Sequence, residues 1–161
     1  MESTCIVHLI SLFYATSNKI KIKGENNMLG EKIGSMSGPV TNKALPVEGS
    51  LPKFSTSTEC AGTLAGAEVQ VLSTYTSTMR ADGTLYGECP NQGVIMTQDG
   101  VATFSATAVG TFTADGGSTF RGSVYFQTTA PSLSSLNGVC GVFHFDVDAQ
   151  GNAIWDIWEW N

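Results

Sequence analysis

The sequence is short of charge. Asp, Glu, Lys and Arg make up only 14% of its 161 residues, against roughly 25% in an ordinary globular domain. Beyond Lys53 there is no lysine, and Arg80 and Arg121 are the only basic residues there. With a formal net charge of −6 the chain has little with which to neutralise phosphates, so no nucleic-acid partner is expected. Histidine is confined to His8 and His144, and Cys5, Cys60, Cys89 and Cys140 are widely spaced and form no CxxC pair. No metal site follows from them. Buried free thiols are the favoured reading, with a Cys60–Cys89 disulfide as the alternative in an exported chain. GxSxG, HExxH, P-loop and βαβ-type GxGxxG motifs are all missing, and no cofactor is expected. No apolar run is long enough for a membrane-spanning helix, so no membrane partner is expected either.

What replaces charge is small and polar. Gly (18), Thr (18) and Ser (16) together make up about a third of the chain, which excludes a coiled coil or helical bundle. Aromatic residues at 9% argue against disorder. The charge is also divided unevenly. Residues 1–53 carry six lysines against four acids, and residues 54–161 two arginines against ten acids. The acidic part is read as a solubilising surface on a Thr-rich β-protein.

Residues 4–15, TCIVHLISLFYA, have the length of a signal-peptide core, but the preceding MES has no basic residue. Residues 1–27 are therefore read as an extension and 28–161 as the domain. A weak uncleaved signal and an extra strand and helix packed on the domain are the alternatives. A cytoplasmic location is expected, with export left open by the apolar run.

From about residue 33 the pattern is β. Asp82-Gly83, Asp99-Gly100 and Asp115-Gly116 recur at near-constant spacing, and Asp-Gly is a strong hairpin-turn signal. Pro90-Asn91 and Gly151-Asn152 supply further breaks. Strands are expected near 40–45, 53–61, 67–80, 84–89, 93–98, 101–114, 118–128, 139–148 and 153–160, with 131–137 as the one helical piece. The class is all-β: a single closed antiparallel barrel of about eight strands, mostly up-and-down, with one short helix before the penultimate strand.

Alternation assigns faces. Phe120, Gly122, Val124 and Phe126 share one face, as do Phe143, Phe145 and Val147, and as do Ala102, Phe104, Ala106, Ala108, Gly110 and Phe112. These sets are expected inside the barrel, where the small residues either taper the packing or leave room for a ligand. Tyr75 falls on the Val69/Val71/Met79 face and carries a hydroxyl inward. The last strand, AIWDIWEWN, puts large apolar groups and one carboxylate on each face. At least one of these acids is partly desolvated and either keeps a proton or finds a cation. Arg121 paired with Glu159 or Asp156 is the expected arrangement, and His144 is read as a surface histidine.

The stretches LPVEGSLPKF (45–54), DGTLYGE (82–88), GVIMTQDG (93–100), RGSVYFQT (121–128), LNGVCGVF (136–143) and WEW (158–160) together resemble a family of small uncharacterised bacterial proteins. In architecture alone the chain is similar to the barrels of allene oxide cyclase and dirigent-like proteins. The resemblance implies a barrel over about 33–161 and carries over no catalytic residue.

Three functions stand open. The first is an interior site for a small apolar ligand, formed by Tyr75, Phe104, Phe112, Arg121, Phe126, Phe143 and Glu159. The second is a homo-oligomeric structural or interaction module anchored by Trp158 and Trp160. The third, by fold analogy only, is a cofactor-free isomerase or cyclase of a hydrophobic substrate, polarised by Tyr75, Arg121 or Glu159.

Overall fold

A computed structural model describes residues 29–46, 49 and 51–161. The expected extension at 1–27, with Cys5 and His8, lies outside the described residues. Eight strands form: β1 Leu29–Leu45, β2 Lys53–Leu64, β3 Ala67–Met79, β4 Leu85–Thr97, β5 Gly100–Phe112, β6 Ser118–Thr128, β7 Cys140–Val147 and β8 Asn152–Trp160. Each pairs antiparallel with the next, and β8 pairs back onto β1, so the barrel closes without an edge. A 3-10 helix, Pro131–Leu136, precedes β7.

Short turns make this order possible. Ala65-Gly66 joins β2 to β3 with both residues at positive φ (49° and 81°), the geometry that matches the twist of a two-residue hairpin. Asp82 accepts hydrogen bonds from the Thr84 amide (3.0 Å) and hydroxyl (2.7 Å), and so holds the β3–β4 turn. Asp99 does more than turn the chain. It accepts from the Ser132 amide (2.9 Å) and hydroxyl (2.7 Å), which ties the 3-10 helix to the β4–β5 hairpin. Leu133 and Leu136 of that helix are fully buried and close the adjoining end of the barrel.

Two strand assignments change. β1 begins at Leu29 rather than near 40. Its glycines and Pro39 mask the strand pattern, but Gly38 is needed: a Cβ there would lie 2.0 Å from the Glu59 carbonyl oxygen of β2. The expected strands 84–89 and 93–98 are one strand, β4. Pro90-Asn91 does not turn the chain but bulges it. Cys89 still pairs with Ala106, and Gly93 with Phe104, leaving the exposed residues 90–92 unpaired between them.

The expected inward sets are inward except at Phe112, which is exposed at the end of β5. Ala102, Phe104, Phe120, Val124, Phe126, Phe143, Phe145 and Val147 are all buried. An eight-stranded barrel is just wide enough for side chains to fill, and here rings do most of the filling. Phe104 sits 4.9 Å from Trp155 and 6.4 Å from Phe126 between centroids, and Tyr75 meets Phe120 and Phe145 edge-on at 6.0 and 5.7 Å.

Candidate functional site

The rings lie where they do because glycines make way for them. A Cβ on Gly93 would fall 2.0 Å from the Phe104 ring, one on Gly110 2.5 Å from Phe120, and one on Gly122 2.8 Å from Phe143. Each ring therefore folds over a bare stretch of a neighbouring strand. One row is left uncovered at its Gly87 end. Gly87, Ala108 and Gly122 are directly paired across β4, β5 and β6, so three successive strands project nothing larger than a methyl group inward. Beside them Ala106 is equally short.

The result is a cavity of about 60 Å³. Tyr75, Phe104, Phe143, Phe145 and Trp155 border it, together with Gly87, Ala106 and Ala108. At about 30 Å³ per water it has room for roughly two waters. Polar groups are few. Thr58 and Ser73, both on the lining, share a 2.8 Å hydroxyl–hydroxyl bond. Burial pushes the Tyr75 phenol up to about 12, against the opposing effect of its Thr56 neighbour. It therefore keeps its proton near neutrality. Burial likewise raises the Cys89 thiol, which keeps it in the unreactive form. The Trp155 indole Nε1 is buried with no hydrogen-bond partner among the described residues. Leaving such a donor unmet costs about 1–3 kcal/mol.

The seven residues expected to form the ligand site separate. Tyr75, Phe104 and Phe143 meet at the cavity. Phe126 is buried behind Phe104 and does not border it. Phe112 has the inward parity but lies at the strand end, 49% exposed and edge-on to Phe54 at 6.1 Å. Glu159 is half-buried near the end of β8, opposite Gly141. Arg121 is on the outer wall.

The expected Arg121 ion pair is corrected. Arg121 bonds Asp146 at 2.6 Å, and Asp156 is taken by Lys32 at 2.7 Å. Register explains both. Arg121 lies opposite His144, diagonal to Asp146, while barrel closure brings β1 and hence Lys32 beside β8. Burial pushes Asp146 up, but Arg121 and the Thr119 hydroxyl outweigh it and hold the carboxyl below its usual range. Asp156 is likewise raised by burial and lowered further by Lys32 and Ser35. Cys60 and Cys89 are both buried and unbonded, so the disulfide alternative falls. Among the described residues no cluster of three His, Cys, Asp or Glu is placed to hold a metal. No helix among them is long and apolar enough to cross a membrane.

Trp155, Phe120, Phe145, Thr58 and Ser73 border the cavity and were not among the expected site residues. Parity would have supplied Phe145 and Phe120, which share the inward faces of Phe143 and Phe126. Trp155 had no such signal, because both faces of β8 are apolar. Its inward position follows from its pairing with Phe145.

A second concavity, of about 430 Å³, lies on the outer wall between Leu29, Arg121, Val142, His144, Trp158 and Trp160. The His144 and Trp158 rings lie 4.8 Å apart and tilted by 58°, and the Lys32 ammonium sits 5.6 Å from the Trp158 ring.

The architecture is that of a closed eight-stranded antiparallel barrel, and solved structures share it. A conserved protein of unknown function from Rhodopseudomonas palustris matches with a TM-score of 0.67 at 13% identity, over 81% of this chain and 97% of its own. A protein of unknown function from Clostridium acetobutylicum ATCC 824 matches with a TM-score of 0.68 at 13% identity, over 80% and 96%. Identity this low establishes a shared fold alone. No protein-family model and no curated protein matches the chain.

Proposed function

We propose that this barrel binds a compact apolar molecule in its interior. The observation that carries the reading is the Gly87–Ala108 pair, which with Ala106 leaves a cavity of about 60 Å³ in an otherwise ring-filled barrel. That volume is far below the roughly 300–1,000 Å³ of a drug-sized pocket. The ligand is therefore a molecule of a few heavy atoms, or one end of a longer molecule. Tyr75, Phe104 and Phe143 are the ligand contacts. The β4 bulge at residues 90–92 adjoins Cys89 on the lining and interrupts the wall there, which supports entry at that point.

The test is a titration with xenon, followed by NMR of the alanine methyl groups. The reading expects saturable shifts at Ala106 and Ala108, abolished in Ala108→Leu. Unmoved Ala106 and Ala108 methyls at high xenon pressure would overturn it.

A second reading is favoured by the outer groove at Leu29, Trp158 and Trp160. Leu29 is 47% and Trp160 52% exposed, and aromatic anchors of this kind are typical of interfaces. Here the occupant is a second copy of the chain. Sedimentation should show a dimer or larger oligomer that Trp160→Glu dissociates, and a monomeric wild type would remove this reading. For a cofactor-free isomerase or cyclase, Tyr75 is the one nominated polar group bordering the cavity, which leaves the binding reading ahead.

We infer kinship with small bacterial barrels of unassigned activity, and an architectural relation to the allene oxide cyclase-like barrels. The shared eight-stranded form supports it. The buried core is almost entirely apolar and most Thr and Ser lie outside it, the reverse of a lipid-facing barrel with a polar lumen. With three unbonded cysteines, this supports a reducing, aqueous compartment such as the cytoplasm.

A further inference from the structure

The outer groove of about 430 Å³ adjoins the start of β1. Leu29, the first residue of that strand, lines it together with Val142, Trp158 and Trp160. Among the described residues nothing covers this wall, and Leu29 and Trp160 are about half exposed. Arg121 and His144 are the only polar side chains on the lining, and Arg121 is already paired with Asp146. The groove therefore suits apolar side chains and offers no free charge from Arg121 to an ionic partner. Twenty-eight residues precede Leu29 in the sequence and join the fold at that point. Within them, residues 4–15 hold Ile6, Val7, Leu9, Ile10, Leu12 and Phe13 and no Asp, Glu, Lys or Arg. Large apolar patches are rarely left in water. The connection, residues 16–28, is thirteen residues long and can span up to about 45 Å, so a groove that begins at Leu29 itself is within reach.

We propose that the outer groove is the seat of residues 4–15 of the same chain, whose apolar side chains cover Leu29, Trp158 and Trp160. Tethering decides between this occupant and a second copy. A segment on a short connection competes at an effective concentration of about a millimolar, whereas a second copy is present only at the concentration of the protein. The apolar run that has the length of an export-signal core thereby serves as a strap over the outer wall. This occupant is independent of the interior cavity and competes with a second copy for one groove.

The test is photo-crosslinking of the full chain with benzoylphenylalanine in place of Phe13, read by peptide mass spectrometry on the monomer. Crosslinks should fall on the β7 and β8 peptides at Val142, Trp158 or Trp160, and they should be lost when Leu9→Asp and Leu12→Asp are added together. Hydroxyl-radical oxidation of Trp160 gives a second readout without the photoprobe. It should be faster in the Leu9→Asp/Leu12→Asp chain than in the wild type, because the strap no longer shields the ring. Both substitutions lie outside the barrel strands, so the variant keeps the groove in place. Crosslinks at the same three residues that join two copies, and none within the monomer, overturn the inference and leave a second copy as the occupant. Crosslinks confined to other strands, or a Trp160 oxidation rate that the double substitution does not change, overturn it outright. The interior binding reading survives each of these outcomes and is judged by xenon alone.

Discussion

Two glycines of one row should respond in opposite ways to the same substitution. Gly87 and Gly122 both flank Ala108, one on each side. A Cβ on Gly87 would first meet the Phe120 ring at 3.4 Å, which is ordinary contact, and would extend into the cavity. A Cβ on Gly122 would lie 2.1 Å from the Thr107 carbonyl oxygen. That atom is backbone in a paired strand and cannot move without opening the ladder. For Gly87→Ala, the smaller entropy of the unfolded chain contributes about 0.4–1 kcal/mol. The newly buried methyl adds up to about 0.8 kcal/mol, giving a stabilisation of about 1–1.5 kcal/mol. Gly122→Ala should cost about 1–3 kcal/mol, as overpacked cores do. At about 3–5 °C per kcal/mol for a domain of this size, calorimetry should place the two variants roughly 10 °C apart, on either side of the wild type. A Gly87→Ala protein that melts as low as Gly122→Ala would refute the reasoning, because it would mean that the row has no space in front of it.

Leu133→Ala should cost about 2–5 kcal/mol in urea unfolding, since Leu133 is fully buried where the 3-10 helix closes the barrel. Leu72→Ala, at a side chain 46% exposed, should stay within about 0.5 kcal/mol. Arg121→Leu should lose less than about 1 kcal/mol, because both partners of the Arg121–Asp146 pair are about half exposed; a larger loss would show that the pair is worth more than surface geometry implies. Acid should destabilise the fold in a defined window. Asp146 and Asp156 are held below their usual range, so their contribution is fully present above the unfolded value near 3.9 and fades as pH falls through the folded values. Urea midpoints should be level from about pH 7 to 5 and decline below about 4. The decline should be shallower in Arg121→Leu.

The fold was more legible than the site, for a physical reason. Asp-Gly turns and period-2 alternation are local signals, and Phe120, Phe126, Phe143 and Phe145 follow them into the interior. Signals failed where the chain answers to a neighbouring strand. The glycines of β1 read as a weak strand until Gly38 is seen against the Glu59 carbonyl. Pro90-Asn91 reads as a turn until the pairs Cys89–Ala106 and Gly93–Phe104 show a bulge inside one strand. At the site, Tyr75, Phe104 and Phe143 carry their inward parity in the sequence. Arg121 was nominated as a rare cation, although its alternation with Phe120 already placed it outside. Its partner Asp146 and the closure that brings Lys32 to Asp156 depend on register across strands, which no local pattern encodes. The same holds for the Gly87–Ala108–Gly122 row, whose members are separated in sequence and become neighbours only when three strands align.

The most direct measurement is a crystal structure of the full chain under xenon pressure. One strong xenon peak is expected inside the barrel, in contact with Ala106, Ala108 and Phe143 and lost in Ala108→Leu. An interior free of xenon, with ordered side chains filling the space beside Gly87, would contradict it.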